Sequence, residues 1–204
     1  MPAANAREKI LWSSHDDGRR LVGTYGDMSF LVTAREVNAT ELPSVRPWRL
    51  FVTKEANTKT LLSTGTSDEA RVAAEEYLTH ADELAMMPPR SRKTYREERG
   101  TCTPWGRAQQ GISYGYGVML YSTAGHGGFH VSKTVEEAMA PNLRLYGGWY
   151  EEDVEWSILP IALPHLFTRF EVRLARETMH HFMPKKYIEI FGDIEDKHGP
   201  ALTM

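Results

Sequence analysis

A single cysteine, Cys102, is all the thiol chemistry the 204 residues contain. One thiol closes no internal disulfide and excludes sites built on several thiolates, the usual structural zinc arrangements among them. A reducing, cytoplasmic setting is the expectation. Long apolar runs are missing too: the longest, residues 158–166, is broken by Pro160 and Pro164, and the opening MPAANAREKILWSSHDDGRR lacks the apolar stretch of a signal peptide. Neither secretion through a signal nor a membrane partner is expected. There is also no excess of charge of one sign: 24 basic residues face 27 acidic ones, for a net charge of -3. Without a global positive field, any nucleic-acid role needs a local patch. The absence of internal repeats and low-complexity tracts removes solenoid and coiled-coil architectures.

What is present is an ordinary globular composition, 41% hydrophobic and 25% charged, in a chain long enough to bury a core. The pattern predicts an α+β protein of two modules. Residues 1–87 read as a small antiparallel sheet with one covering helix, 88–100 as a charged linker, and 101–204 as a second α+β module with a C-terminal helical segment. In the first, strands are expected at 10–13, 20–25, 28–37, 48–53 and 60–63, with Asp16-Asp17-Gly18 and Gly26-Asp27 as turns and the polar stretch 54–59 as a connection. Thr66-Ser67-Asp68-Glu69 is a capping box. The helix it opens places Ala70, Ala73, Ala74, Tyr77, Leu78 and Ala81 on one face.

The linker, MMPPRSRKTYREERG at 86–100, has two prolines and no apolar periodicity. Its Arg90, Arg92, Lys93, Arg96 and Arg99 read either as solvated charge or as phosphate contacts. In the second module, strands are expected at 108–114, 118–122 and 129–131. Ser132 is placed as the cap of a helix over 133–139, further helices are expected over 150–159 and 165–182, and a final turn or short helix over 184–191, ahead of a frayed tail from Gly192.

Chemistry concentrates between Thr103 and Trp156. His126 sits among glycines in STAGHGGFH, where the backbone can take unusual dihedrals and approach a ligand. Its spacing to His130 is a poor copy of a helical metal pair. Glu151, Glu152 and Asp153, with Glu155, offer four carboxylates in five residues; with His126 they make a composite site for a divalent metal ion, or for a histidine base. The alternative is structural: acids at a helix start favour its dipole. Trp105 in TPWG, and Trp149 and Tyr150 in GGWY, are candidates to stack on a base or sugar, or to bridge a core edge. Neither a nucleophilic-serine elbow nor a phosphate-loop glycine spacing is present. Cys102, lacking an orienting signature, reads as a small buried residue.

The motifs TPWG, STAGHGGF and GWYEED.EW resemble those shared by an uncharacterised domain family of phages, plasmids and other bacterial mobile elements, over 103–167. The resemblance marks Trp105, His126, Gly127, Gly128, Trp149, Tyr150, Glu151, Glu152, Asp153 and Trp156 as characteristic positions. It implies a protein of a bacterial host's cytoplasm that binds and inhibits a defence complex, such as a CRISPR or restriction nucleoprotein. Acidic stretches at 151–155 and 189–196 suit a basic channel. Two other functions stand beside it: a metal-dependent hydrolase or nuclease using His126, Glu151, Glu152 and Asp153, and a nucleic-acid-binding module using Trp105, Arg90, Arg92, Lys93 and Arg96.

Overall fold

The computed structural model describes residues 10–34, 48–96 and 100–192. The expected strand end at 35–37, Arg99 and the tail from 193 lie outside the described residues. The chain is α+β and divides into two compact units, residues 1–81 and 82–204. Among the described residues no helix is long and apolar enough to cross a membrane.

In the first unit, β1 (Leu11–His15), β2 (Arg20–Tyr25), β3 (Met28–Ala34), β4 (Trp48–Lys54) and β5 (Asn57–Thr64) form an antiparallel meander in chain order. Alternation along β3 and β4 buries Phe30, Val32, Leu50 and Val52, the period-2 signature of a sheet with one covered face. Helix α1 (Ser67–Met86) supplies the cover with buried Ala70, Ala73 and Ala74, and the Tyr77 ring meets Phe30 edge-on at 6.3 Å. Its capping box is in place: Thr66 Oγ1 accepts from the Glu69 amide, and Glu69 returns a carboxylate to the Thr66 amide. The polar stretch at 54–59 is not the connection expected. Lys54 pairs with Asn57, leaving a two-residue turn of Glu55 and Ala56, both at positive φ. This turn lacks the usual Asn-Gly signature, so polarity alone misplaced it.

The second unit is built on a five-stranded antiparallel sheet, ordered β12-β11-β10-β9-β6. Its strands are β6 (Ser91–Thr94), β9 (Gln110–Gly115), β10 (Val118–Ser122), β11 (Gly127–Val131) and β12 (Trp149–Glu151), while β7 (Cys102–Thr103) and β8 (Gly106–Arg107) form a separate hairpin. One sheet face carries Val118, Phe129, Val131 and Tyr150 into a core with Ile158, Leu159, Phe167 and Met179. These last come from α3 (Ile158–Ala162), the turn after it and α4 (Arg169–Phe182); α2 (Lys133–Ala138) and α5 (Pro184–Phe191) complete the unit.

Several expectations are corrected here. The stretch read as linker contains β6, which pairs with β9 through Arg92 and Ile112. An edge strand tolerates charged side chains on both faces, so it shows no apolar alternation. The helix expected over 150–159 is instead β12, a turn, and a short 3₁₀ turn leading into α3. Trp149 and Tyr150 prefer the pleated sheet they pair into. Ser132 precedes α2 but its hydroxyl makes no capping bond. Cys102 is exposed.

Arg90, expected on the surface, is committed to the fold. Its Nη1 and Nη2 each donate to a Glu171 carboxylate oxygen at 2.7 Å, and Nη2 also reaches the Leu166 carbonyl. The guanidinium lies 4.0 Å from the centre of the Tyr114 ring. Glu171 also caps its own helix, accepting from the Thr168 amide while the Thr168 hydroxyl accepts from the Glu171 amide. Both side chains are about four-fifths covered, so Arg90→Ala strips a charged hydrogen bond from a poorly solvated carboxylate. We expect a loss of about 2 kcal/mol in urea unfolding, against a change within about 0.5 kcal/mol for exposed Arg92→Ala.

Candidate functional site at the β11–β12 edge

Strand β11 begins with two glycines, and space rather than dihedral freedom demands them. Neither has positive φ, contrary to the expectation from the glycine-rich loop. A Cβ on Gly127 would sit 2.5 Å from Glu152 Oε2 and 2.7 Å from the Tyr121 carbonyl oxygen. On Gly128 it would overlap the Trp105 indole and the Tyr150 carbonyl oxygen. The bare backbone therefore lets the β7–β8 hairpin press Trp105 onto the sheet and lets a carboxylate lie against the strand.

The same register assembles the polar cluster. Gly128 faces Glu151, and the Glu152 amide donates to the Gly127 carbonyl at 3.1 Å. Just before Gly127, His126 is held in a tight turn: its carbonyl accepts from the Thr123 hydroxyl at 2.7 Å and its amide donates back to that hydroxyl at 3.2 Å. As a result His126, Glu151 and Glu152 bring ligand atoms within 4.8 Å of one another. His126 and Glu152 are exposed and Glu151 is half-buried. Glu151 is braced from both sides: its Oε2 accepts from the Asp153 amide at 2.7 Å, and its own amide donates to Glu155 Oε2 at 3.1 Å. The Asp153 carboxylate is not part of the cluster.

Glu151 ends β12 and Glu152 follows it in the turn, and the two glutamates open onto different spaces. Glu151 borders an open groove of about 640 Å³ with Pro104, Trp105, Trp149, Glu155 and Met183. Glu152 borders a smaller pocket of about 220 Å³ with Tyr114, Trp156, Phe167 and Glu171. Trp105 and Trp149 meet edge-to-face, their centroids 5.7 Å apart. The His130 ring packs 4.4 Å from Trp149. Burial lowers the His130 pKa below its usual value, a shift that the charge of Glu136 opposes.

Tyr150, a candidate for ligand stacking, is fully buried. Its hydroxyl donates to the Leu143 carbonyl at 3.0 Å and accepts from the Leu145 amide at 3.3 Å, and burial raises its pKa. It is a core residue. Among the basic candidates, Arg92, Lys93 and Arg96 remain exposed, but Arg92 and Lys93 are neighbours on β6 and alternate between faces. Arg90, by contrast, is committed to Glu171. Met183 was missed as a groove residue, since nothing near it in sequence announces a site. Glu171 could have been found: Thr168-x-x-Glu171 is a second capping box.

A family model for a domain of unknown function (DUF7007) matches residues 98–200, half of the chain. No curated protein and no solved structure matches.

The tight packing at β11 predicts opposite outcomes for two alanine substitutions. Gly128→Ala should lower stability by about 2 kcal/mol or more in chemical unfolding, because one obstruction is backbone. Gly125→Ala, with nothing within 4 Å, should be close to neutral. His130 should titrate by NMR below the ordinary value of 6.5, and Glu136→Gln should lower it further. Since the folded-state pKa is depressed, this group makes stability fall as pH drops through 6.5 towards the folded midpoint.

Proposed function

We propose that this chain, which belongs to the DUF7007 family, acts as a metal-dependent hydrolase whose divalent ion is held by His126, Glu151 and Glu152. The observation carrying this reading is the convergence of one imidazole and two carboxylates within 4.8 Å. Donors that share an ion with bonds of about 2.0–2.6 Å lie at most about 4–5 Å apart, so the cluster needs little rearrangement to close on one. The two carboxylates balance the charge of a divalent ion, and the nitrogen donor favours zinc or manganese over calcium. A divalent ion held by these three residues would supply Lewis-acid chemistry and activation of water beside the groove. The Asp153 amide, which donates to the Glu151 carboxylate, acts through it as a positioning group.

Calorimetric titration with Zn²⁺ and Mn²⁺ tests the site. His126→Ala and Glu152→Gln should each weaken binding at least tenfold, while Asp153→Asn should leave it near the wild-type value. Wild-type affinity no greater than that of the His126→Ala/Glu152→Gln double variant overturns the reading. Hydrolysis of peptide, ester and nucleic-acid panels should stop on chelation and return with metal.

A second reading draws support from the unpaired acids. Among the described residues none of Glu151, Glu152, Asp153 and Glu155 enters an ion pair. Such a surface complements a basic one, steering association more than fixing affinity. The resemblance to mobile-element proteins gives that partner a class, a host defence nucleoprotein complex that the chain binds and inhibits. In pull-downs from a bacterial host, Asp153→Lys/Glu155→Lys should abolish capture of that complex; equal capture by both forms rejects the acidic surface as the contact.

A further inference from the structure

The groove beside β12 shares Glu151 with the metal cluster but has an aromatic lining that the cluster lacks. Two indoles, Trp105 and Trp149, form one corner at an interplanar angle of 86°, and Pro104 and Met183 extend the apolar lining. Among the described residues, the charged groups on its walls are Glu151 and Glu155, and neither is ion-paired to a described residue. An indole face attracts cations through its quadrupole, by about 0.5–2 kcal/mol depending on desolvation. A carboxylate beside it adds Coulomb attraction of the same sign. The combination repels anions, so a nucleotide base cannot stack here without bringing its phosphate against two negative charges.

We propose that this groove binds an arginine side chain presented by an extended segment of a partner polypeptide. A guanidinium is planar and weakly hydrated, so it can stack on an indole while its fork donates to a carboxylate, which a compact ammonium cannot do as well. The groove, at about 640 Å³, is larger than one guanidinium needs, leaving room for flanking backbone. Glu155 is the discriminating residue. Its Oε2 accepts from the Glu151 amide, a bond that glutamine can also accept, so Glu155→Gln removes the charge and keeps the local fold. It is not a ligand of the ion in the hydrolase reading, so the two can fail separately.

The probe is the peptide acetyl-Gly-Arg-Gly-Arg-Gly-amide, titrated into the full chain in the presence of EDTA and followed by calorimetry and by the indole N–H signals. The arginine peptide should bind and shift the Trp105 and Trp149 signals. Its citrulline counterpart, isosteric but uncharged, should bind at least tenfold more weakly. Glu155→Gln should weaken the arginine peptide about fivefold and leave Zn²⁺ binding unchanged. Equal binding of the arginine and citrulline peptides, tighter binding of oligothymidylate than of the arginine peptide, or no shift at either indole overturns the inference.

Discussion

Where β11 begins, groups from two segments distant in sequence compete for one volume. The β7–β8 hairpin brings Trp105, β12 brings its backbone, and the residue after β12 brings a carboxylate; all arrive where Gly127 and Gly128 have no side chains. Had either position carried even a methyl group, the indole or the Glu152 carboxylate would be displaced, since close-packed interiors have no slack for an added atom. The pairing of Gly128 with Glu151 then brings Glu151 and Glu152 alongside His126. The polar cluster and the aromatic groove are two outcomes of one packing constraint.

The covered face of the same sheet is secured differently. Arg90, just before edge strand β6, reaches into the unit to fork Glu171 at the start of α4 and stacks over Tyr114 on β9. Removing either charge would leave the other in a poorly solvated place, which makes such pairs costly to break even when they add little net stability. Glu171 is also the capping acid of α4. The start of that helix, the edge of the sheet and the wall of the smaller pocket are therefore set by one carboxylate.

Much of this was legible in the sequence where the signal was local. The β2 and β10 strands, the Thr66 to Glu69 cap and the C-terminal helices follow from periodicity and capping chemistry, which act over a few residues. What could not be read was set by partners far along the chain. Arg90 has the sequence neighbourhood of a solvated linker, and only Glu171 and Tyr114 make it internal. Tyr150 shares a motif with Trp149, but alternation in a strand sends one ring to the core and the other to the groove. Chemistry alone points to His126, Glu151 and Glu152 in the sequence, with the acids expected on a helix. They converge through strand register instead, with Asp153 left out of the cluster.

Charge distribution separates the substrates such a site would accept. Were a divalent ion held by His126, Glu151 and Glu152, the two carboxylates would balance its charge and leave Asp153 and Glu155 as surplus negative charge on the same segment. At about 7 Å in water each opposes a phosphate by roughly 0.6 kcal/mol, and closer or drier approaches cost more. A phosphodiester would meet that repulsion at every step along the groove, whereas a polypeptide carbonyl beside a cationic side chain meets attraction from the indoles and from Glu155. For a hydrolase built on this edge, the electrostatics therefore rank peptide-like, cationic substrates above nucleic acid. The commitment of Arg90 to Glu171 has a consequence of the same sign, because it takes one cation out of the chain's modest basic segment.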